Sequence, residues 1–287
     1  MGRNCKNLDT LEFDSSYFLD SVLLNDSYKS TQIEGTQISQ DEMYYLKYME
    51  RTDDNLEIQN LKRTIMYAYD RVRSGDRFNI SFVNAMHRIV LESVRGSERS
   101  PGKIRITQNW IGPRGCKFET IHAYKDGNGR LGRALIPVQM AMLDQERPIL
   151  YMSEILELYK PSYQRSLMES RRGNLAGFIK FFLQCTIDQC SSYIYKIGRI
   201  KEIYREDMGK IQTIRGNSVY RIMPVLMRQI VFTKKEVAEE SGVSLNSVAK
   251  VFDQLVELGI IIPDATVIKK GFRYQRIYEV FVGSRAL

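Results

Sequence analysis

Residues 122–133 read His-Ala-Tyr-Lys-Asp-Gly-Asn-Gly-Arg-Leu-Gly-Arg, and the rest of the chain is best understood outward from them. The Gly127-Asn128-Gly129 segment can adopt left-handed backbone angles that most residues avoid, so its successive N–H groups can surround an anion. Apolar residues at helical spacing follow it, which predicts a helix that begins at these glycines. A glycine turn leading into a helix N-terminus favours phosphate binding.

Titratable and charged side chains flank this glycine turn. Asp126 precedes it, in a position suited to a magnesium ion that bridges phosphates. Arg130 and Arg133 are three residues apart and therefore share one side of the predicted helix. His122, one of two histidines, has an ordinary pKa suited to proton removal at neutral pH. Each feature alone is more often structural or solvated, but their combination predicts a nucleotide-phosphate site with a base beside it.

The stretch resembles the signature of the Fic family, His-x-Phe-x-Asp/Glu-Gly-Asn-Gly-Arg-x-x-Arg. The resemblance implies a mainly α fold, a Fic-type helical bundle with a small β-hairpin flap. It implies an enzyme that transfers AMP from ATP to a Ser, Thr or Tyr hydroxyl of a target protein. By position it implies His122 as the general base and Asp126 as the Mg²⁺ ligand. It implies that the phosphates contact Gly127, Asn128, Gly129, Arg130 and Arg133, with Arg133 at the terminal phosphate.

Two residues within the stretch depart from the family pattern. Tyr124 replaces the usual Phe and can still anchor the loop, although its hydroxyl needs a hydrogen-bond partner. Ala123 replaces the usual Pro, which leaves the backbone there less restricted. Both departures are small, so we expect the phosphate site to be retained.

A larger departure lies before the stretch. Residues 104–111 alternate apolar and polar side chains, which predicts a strand resembling the first strand of the family's flap, the hairpin that binds a target backbone. In the family a second strand and a helix follow, whereas here residues 112–116 lead almost directly into residues 118–121. Either the chain lacks this segment, which would weaken the core, or residues are missing from the given sequence at Cys116–Lys117, which we favour. A Cα separation there well above about 3.8 Å would indicate missing residues.

The N-terminal region is predicted to be helical over residues 15–24 and 40–73, with Ser-Thr-Gln-Ile-Glu-Gly at residues 30–35 between them. On local rules Ser30 is a candidate N-cap, Gly35 ends a short helix and Glu34 lies in solvent. Residues 30–35, which we call the inhibitory segment, also resemble the family's inhibitory motif, Ser/Thr-x-x-x-Glu-Gly/Asn, in the class where it precedes the core. That resemblance implies that Glu34 pairs with Arg133 and excludes the ATP γ-phosphate or leaves ATP bound unproductively.

Composition sets the frame for the whole chain. Its 287 residues suffice for two or three domains, predicted as an N-terminal helical region (1–75), a Fic catalytic core (76–212) and a winged-helix domain (213–287). The net charge of +8 favours an anionic partner such as nucleotide or nucleic acid. The four cysteines include no Cys-x-x-Cys pair, which argues against zinc and for a reducing cytoplasm. The chain shows no membrane-spanning run or signal peptide, so we expect a cytoplasmic protein without a membrane partner.

Helical spacing also predicts helices over residues 79–93, 134–144, 151–159, 161–170 and 175–206. His87 lies beside the apolar face of the first, and we interpret it as structural. Ser100-Pro101-Gly102 predicts a turn.

The C-terminal region resembles winged-helix domains. Thr233 with Glu236 predicts a capping box, Ser244 predicts the cap of a second helix through Leu258, and Gly259 ends it. Two strands are predicted at residues 260–262 and 274–282. On a DNA-binding interpretation the contacts come from two groups, the second helix (Ser244, Asn246, Ser247, Lys250) and the wing (Lys269, Lys270, Arg273). Asp253 and Glu257 on the same helix argue for protein contacts instead.

Two functions therefore stay open. The leading hypothesis is a Fic-type protein adenylyltransferase that uses ATP and Mg²⁺ and is autoinhibited by Glu34. The alternative is a DNA-binding winged-helix regulator whose Fic core is a sensor or inactive. His122, Asp126 and the Gly-Asn-Gly segment favour the enzyme, whereas the short segment after Cys116 favours the regulator. AMP removal, another nucleotide donor, the target protein and a homodimer also stay open.

Overall fold

The structure is a computed structural model that describes residues 16–106, 122–144, 148–265 and 270–283. The described chain is mainly helical and includes one small antiparallel sheet. Several predictions lie outside the described residues: the flap strand beyond Ile106, residues 112–121 with the Cys116–Lys117 junction, and Lys269. Residues 104–106 are described and are not part of a strand. None of the described helices is long and apolar enough to cross a membrane.

The chain divides into two compact units, each described here by its own contacts. The central unit comprises residues Leu23–Ile38 and Arg51–Cys190. The C-terminal unit comprises the described residues within Met1–Val22, Ser39–Glu50 and Ser191–Leu287. The eight residues predicted for the phosphate site and its inhibition belong to the central unit.

The helices of the first two thirds of the chain are joined by short connections, apart from residues 91–127 between the fourth helix and the fifth. They are α1 (Ser16–Glu34), a 3₁₀ helix (Glu42–Tyr48), α2 (Asp53–Arg73), α3 (Ile80–Val90), α4 (Asn128–Asp144), α5 (Ser153–Leu158), α6 (Lys160–Arg171) and α7 (Leu175–Ile211). The predicted turn at residues 100–102 is present, with Gly102 at φ +73°.

The N-terminal prediction needs two corrections. Ser30 is not an N-cap, because α1 is a single helix that continues through it to Glu34 and ends at Gly35, where φ is +98°. Ser30 is fully buried inside the central unit, so tertiary contacts outweigh its local preference for a helix end. The helix predicted over residues 40–73 is interrupted, since Thr52 has extended backbone angles and caps α2 by accepting a hydrogen bond from the Asn55 N–H.

Helix α2 is the centre of the central unit and packs against both α3 and α4. Its inward residues recur at three- and four-residue spacing and are almost fully buried: Ile58, Leu61, Ile65 and Ala68. Helix α3 begins at Asn79, whose side chain accepts from the Phe82 N–H. Because α3 and α4 both contact α2, the turn that precedes α4 is positioned by these three packed helices.

The C-terminal unit contains two capped helices and the sheet. Besides the 3₁₀ helix and the end of α7, it contains α8 (Ser218–Gln229), β1 (Val231–Thr233), α9 (Lys234–Ser241), α10 (Leu245–Glu257), β2 (Ile262–Asp264), β3 (Gly271–Arg273) and α11 (Gln275–Val282). The capping box of Thr233 and Glu236 and the Ser244 cap are confirmed. The sheet order is β1-β3-β2, with Phe232 opposite Phe272, and both rings pack near Phe252.

The strand predicted at residues 274–282 is wrong, because residues 275–282 form helix α11. The run is too short for periodicity to separate strand from helix. Its buried residues, Ile277, Tyr278 and Phe281, share one helical face. The wing prediction is corrected at Arg273, which pairs with Asp264 at 3.1 Å and lies over the Tyr278 ring instead of facing outward.

Candidate functional site

The turn before helix α4 is built by its own side chains. Gly127 has φ +72°, and α4 begins at the next residue, Asn128. The Asn128 amide donates to the Tyr124 carbonyl at 2.8 Å and accepts from the Tyr124 N–H at 3.0 Å. Asn128, predicted to contact phosphate, therefore closes the turn with its side chain. This leaves backbone N–H groups at the start of α4 to face an anion.

Tyr124 anchors the turn in the core of the central unit. Its hydroxyl donates to Asn84 Oδ1 at 2.6 Å, which provides the partner that the Phe-to-Tyr departure requires. Its ring stacks on His87 with the ring centroids 3.8 Å apart. The substitution is thus accommodated without a buried, unsatisfied hydroxyl.

His87 holds the turn through hydrogen bonds made by both of its ring nitrogens. The Gly102 N–H donates to His87 Nδ1 at 2.8 Å, so Nε2 carries the proton and donates to the Asp126 carbonyl, also at 2.8 Å. Burial lowers the pKa of His87, which favours this neutral form. His87 is fully buried and joins the 100–102 turn to the Asp126–Gly127 peptide, in keeping with the structural role predicted for it.

Glu34 and Arg133 form the central ion pair of the site. Arg133 Nη2 donates to Glu34 Oε1 at 2.6 Å, while the same guanidinium donates to the side-chain and backbone oxygens of Ser30, each at 2.8 Å. The Arg133 side chain is 3% exposed and that of Glu34 is 41% exposed. The arginine is thus fixed by α1 and the carboxylate faces the solvent.

The Glu34 carboxylate also lies against the N-terminus of α4. A Cβ atom built on Gly129 would overlap Glu34 Oε1 and lie 3.1 Å from Arg133 Nη1. Only glycine permits this approach, since any side chain would displace the carboxylate. A negative group at a helix N-terminus is where a phosphate would also bind, so Glu34 occupies the position expected for one.

Arg130 is buried beside the same helix terminus but has a different set of partners. Its Nη1 lies 3.1 Å from Oε1 of Glu57 on α2, and its Nη2 lies 3.8 Å from Asp126 Oδ1. Its Nε and Nη1 atoms have no hydrogen-bond acceptor within the described part of the chain. The charge of Arg130 is therefore compensated while some of its donors remain available to an anion.

His122 lies at the entrance to the turn and is held through its backbone. Arg105 donates through Nε to the His122 carbonyl and through its backbone N–H to the Ala123 carbonyl, the latter at 2.9 Å. Burial lowers the pKa of His122, and the positive charges of Arg171 and Arg105 lower it further, whereas Glu34 raises it. The imidazole is therefore neutral at pH 7 and able to accept a proton.

Asp126 fits a magnesium ligand. One of its oxygens accepts from the Gly127 N–H at 2.6 Å, and the side chain is 36% exposed. A Cβ on Gly96, which has φ +87°, would lie 2.6 Å from the second oxygen, so Gly96 leaves room for this carboxylate. Mg²⁺ commonly binds proteins through one or two carboxylates plus substrate phosphates, and a single half-exposed Asp satisfies that need.

The structure brings all eight predicted residues together in the central unit and adds three that sequence reasoning did not place there. Ser30 orients Arg133, Glu57 pairs with Arg130, and His87 holds the Asp126 carbonyl. Nothing in the local sequence distinguishes Glu57 from a surface glutamate. A comparison of the chain with models of known protein families finds no match, so the resemblance of residues 122–133 rests on those residues themselves.

Proposed function

We propose that the chain is a Fic-type protein adenylyltransferase that is held inactive by Glu34. The observation that carries the proposal is the Glu34 carboxylate, which pairs with buried Arg133 directly over Gly129. An internal carboxylate bound at a helix N-terminus beside two arginines supports an anion site at this position. The neutral His122 at the same turn adds a base, which a simple phosphate-binding site would not need.

The proposed reaction uses these groups in the order that their positions suggest. His122 takes the proton of a target Ser, Thr or Tyr hydroxyl, and the hydroxyl oxygen attacks the α-phosphorus of ATP. The bond from the α-phosphorus to the bridging oxygen of the β-phosphate breaks, and pyrophosphate leaves. The N–H groups at the start of α4 and the guanidinium of Arg130 stabilise the phosphate charge, while Asp126 would hold Mg²⁺, which neutralises charge on the leaving phosphates.

Inhibition follows from competition for one guanidinium. Arg133 makes its carboxylate contact with Glu34, so a γ-phosphate must displace Glu34 before it can bind Arg133. The Glu34 carboxylate and a γ-phosphate at Arg133 would also repel each other, because both are negative and the buried arginine between them leaves little room for screening water. Removing Glu34 should therefore raise AMP transfer.

The test is incubation with Mg²⁺ and ATP labelled on the α-phosphate, comparing wild type, Glu34→Gly and Glu34→Gly/His122→Ala. We expect protein-bound label to increase at least tenfold in Glu34→Gly and to disappear in the double variant. A second sample with label on the γ-phosphate distinguishes AMP transfer from phosphorylation. Folded Glu34→Gly protein that acquires no α-label, with itself or a cell extract as target, would reject the proposal.

A second candidate is DNA binding by the C-terminal unit, which we propose resembles a winged helix. Helices α9 and α10 meet at Gly242, and Ser244, Asn246 and Lys250 are exposed at the start of α10. Asp253 on the same helix pairs with Lys234, which reduces the positive surface available to phosphate. Titration of labelled duplex DNA with wild type and Lys250→Glu tests the idea, and salt-sensitive binding that the substitution weakens would support it.

A further inference from the structure

The two arginines of the site differ in what holds them. Arg133 is fixed by three hydrogen bonds that it donates to α1, two of them to Ser30. Within the described residues Arg130 makes no comparable set of hydrogen bonds, and the carboxylate oxygen nearest to it there belongs to Glu57, at 3.1 Å. A buried guanidinium without a compensating carboxylate is strongly unfavourable, so Glu57 accounts for the stable placement of Arg130.

Glu57 is itself an unusual residue for a helix of this kind. It is only 3% exposed, although it lies in the first half of α2 among residues that otherwise alternate between core and solvent. Its Oε1 atom lies 3.1 Å from Arg130 Nη1 and accepts from Arg95 Nε at 3.3 Å. Two guanidiniums therefore lie against this one oxygen and offer positive charge to a carboxylate that is shielded from water.

The other oxygen of Glu57 contacts the residue that directly follows the inhibitory segment. Glu57 Oε2 accepts from the Thr36 hydroxyl at 3.0 Å. Thr36 follows Gly35, the residue that ends α1, and is 3% exposed. One carboxylate therefore touches both the arginine proposed to bind phosphate and the chain directly after Glu34.

We propose that Glu57 is a positioning residue that orients Arg130 for phosphate and, through Thr36, fixes the segment that carries Glu34. The expected effect on nucleotide binding rests on the proposed function. The holding of Arg130 by Glu57 is independent of that function. Loss of the Glu57 charge removes the contact that holds Arg130. Loss of the Thr36 hydroxyl removes only the contact that holds the chain directly after Glu34.

The first experiment needs no nucleotide. Solvent exchange of the arginine guanidinium N–H protons, including the Nη protons of Arg130 that lie nearest Glu57, is measured by NMR in the full chain, with the signals assigned from Arg130→Lys and Arg133→Lys. Glu57→Gln should accelerate exchange at Arg130 about tenfold and leave Arg133, which donates to Ser30, unchanged. Glu57→Asp, which keeps the charge, should restore slow exchange in part. Unchanged exchange at Arg130 in folded Glu57→Gln would overturn the proposal.

The second experiment measures Mg·ATP binding by calorimetry in three variants: Glu34→Gly, Glu34→Gly/Glu57→Gln and Glu34→Gly/Thr36→Val. We expect Glu57→Gln to weaken binding about tenfold and Thr36→Val to change it less than twofold, because Glu34 is already absent. Equal weakening by both substitutions, or none by Glu57→Gln, would contradict the role assigned to Glu57. If Glu34→Gly itself does not bind Mg·ATP, the proposed function fails, and the proton-exchange result still decides the role of Glu57.

In the presence of Glu34 the Thr36 contact has its own consequence. Thr36→Val alone should increase Mg·ATP affinity over wild type, since the residue that directly follows the inhibitory segment loses its hydrogen bond to α2. An affinity equal to that of wild type would show that Thr36 does not restrain the segment, and this part of the proposal would be withdrawn.

Discussion

The central unit and the C-terminal unit each contain an ion pair with one buried partner, and the buried partner is the arginine in one unit and the carboxylate in the other. In the central unit the arginine is buried and the carboxylate of Glu34 is 41% exposed, with one hydrogen bond to Arg133. In the C-terminal unit the carboxylate of Asp207 is 0% exposed. Asp207 accepts from Tyr274 at 2.7 Å, from Arg276 at 2.8 Å and from Lys210 at 3.1 Å.

The difference shows what makes an ion pair replaceable. Asp207 is closed off from solvent and accepts from three donors. A competing anion would have to enter the core and break three hydrogen bonds to replace it. Glu34 is solvated on one side, and Arg133 keeps both Ser30 bonds when Glu34 leaves. A phosphate that reaches Arg133 can therefore replace Glu34 at little cost in protein stability, which is the property an inhibitory contact needs.

The largest effect on stability is expected at Asp207. Asp207→Asn keeps the shape but removes the buried negative charge, leaving Arg276 without its buried countercharge. We expect a loss of about 3–5 kcal/mol in the free energy of unfolding, measured by urea denaturation. Glu239→Gln, which removes the partner of Lys235 in an exposed pair, is the matched control and should change stability by about 0.5 kcal/mol or less. Equal effects of the two substitutions would erase the contrast between buried and exposed pairs.

Asp26 is a buried carboxylate that, unlike Asp207, is bonded to a backbone N–H. Its side chain accepts from the Ser153 N–H at 2.7 Å. Burial raises the pKa of Asp26 from 3.8 to about 6. Because the folded pKa is above the unfolded value, Asp26 makes folding less favourable as pH rises through this range. Asp26→Asn should therefore gain stability relative to wild type between about pH 4 and pH 7.5, by about 3 kcal/mol. Urea unfolding at several pH values checks this, and a difference that does not change with pH would contradict it.

A smaller effect on stability is expected at Glu34. Glu34→Gln should lower the free energy of unfolding by about 1 kcal/mol or less, since the carboxylate is partly solvated and Arg133 retains its bonds to Ser30. Thermal unfolding at pH 7 measures the change, with Glu98→Gln in an exposed pair as control. A loss as large as that of Asp207→Asn would mean that Glu34 is a structural residue and not a replaceable one.

The smallest effect concerns the proton affinity of His122. Glu34 raises the pKa of His122, whereas burial and two arginines lower it, so Glu34→Gly should lower that pKa further. NMR titration can resolve both histidines of the chain, with His87 as the internal reference. Activity of Glu34→Gly should fall at acid pH only as His122 becomes protonated, below the usual histidine range. A pKa that rises after removal of Glu34 would show that the carboxylate does not act on this imidazole.

The sequence predicted features whose partners lie within a few residues. The capping box of Thr233 and Glu236 and the Ser244 cap of α10 each join residues three positions apart, so backbone rules suffice to find them. The turn at Gly127 is of the same kind, because its φ of +72° requires a residue such as glycine. Residues 274–282 show the limit: the run was assigned to a strand, yet the buried residues of α11 lie on one helical face.

Sequence alone thus determined a glycine turn at a helix N-terminus, with His122, Asp126 and two arginines around it. Only the tertiary structure decided how the arginines are used. Glu34 and Arg133 are 99 residues apart, and they meet because Ser30 and Glu34, about one turn apart on α1, both accept from that arginine. Glu57 reaches Arg130 because α2 packs against α4. Ion pairs of this kind depend on packing between distant helices, and no local backbone preference encodes which carboxylate an arginine will meet.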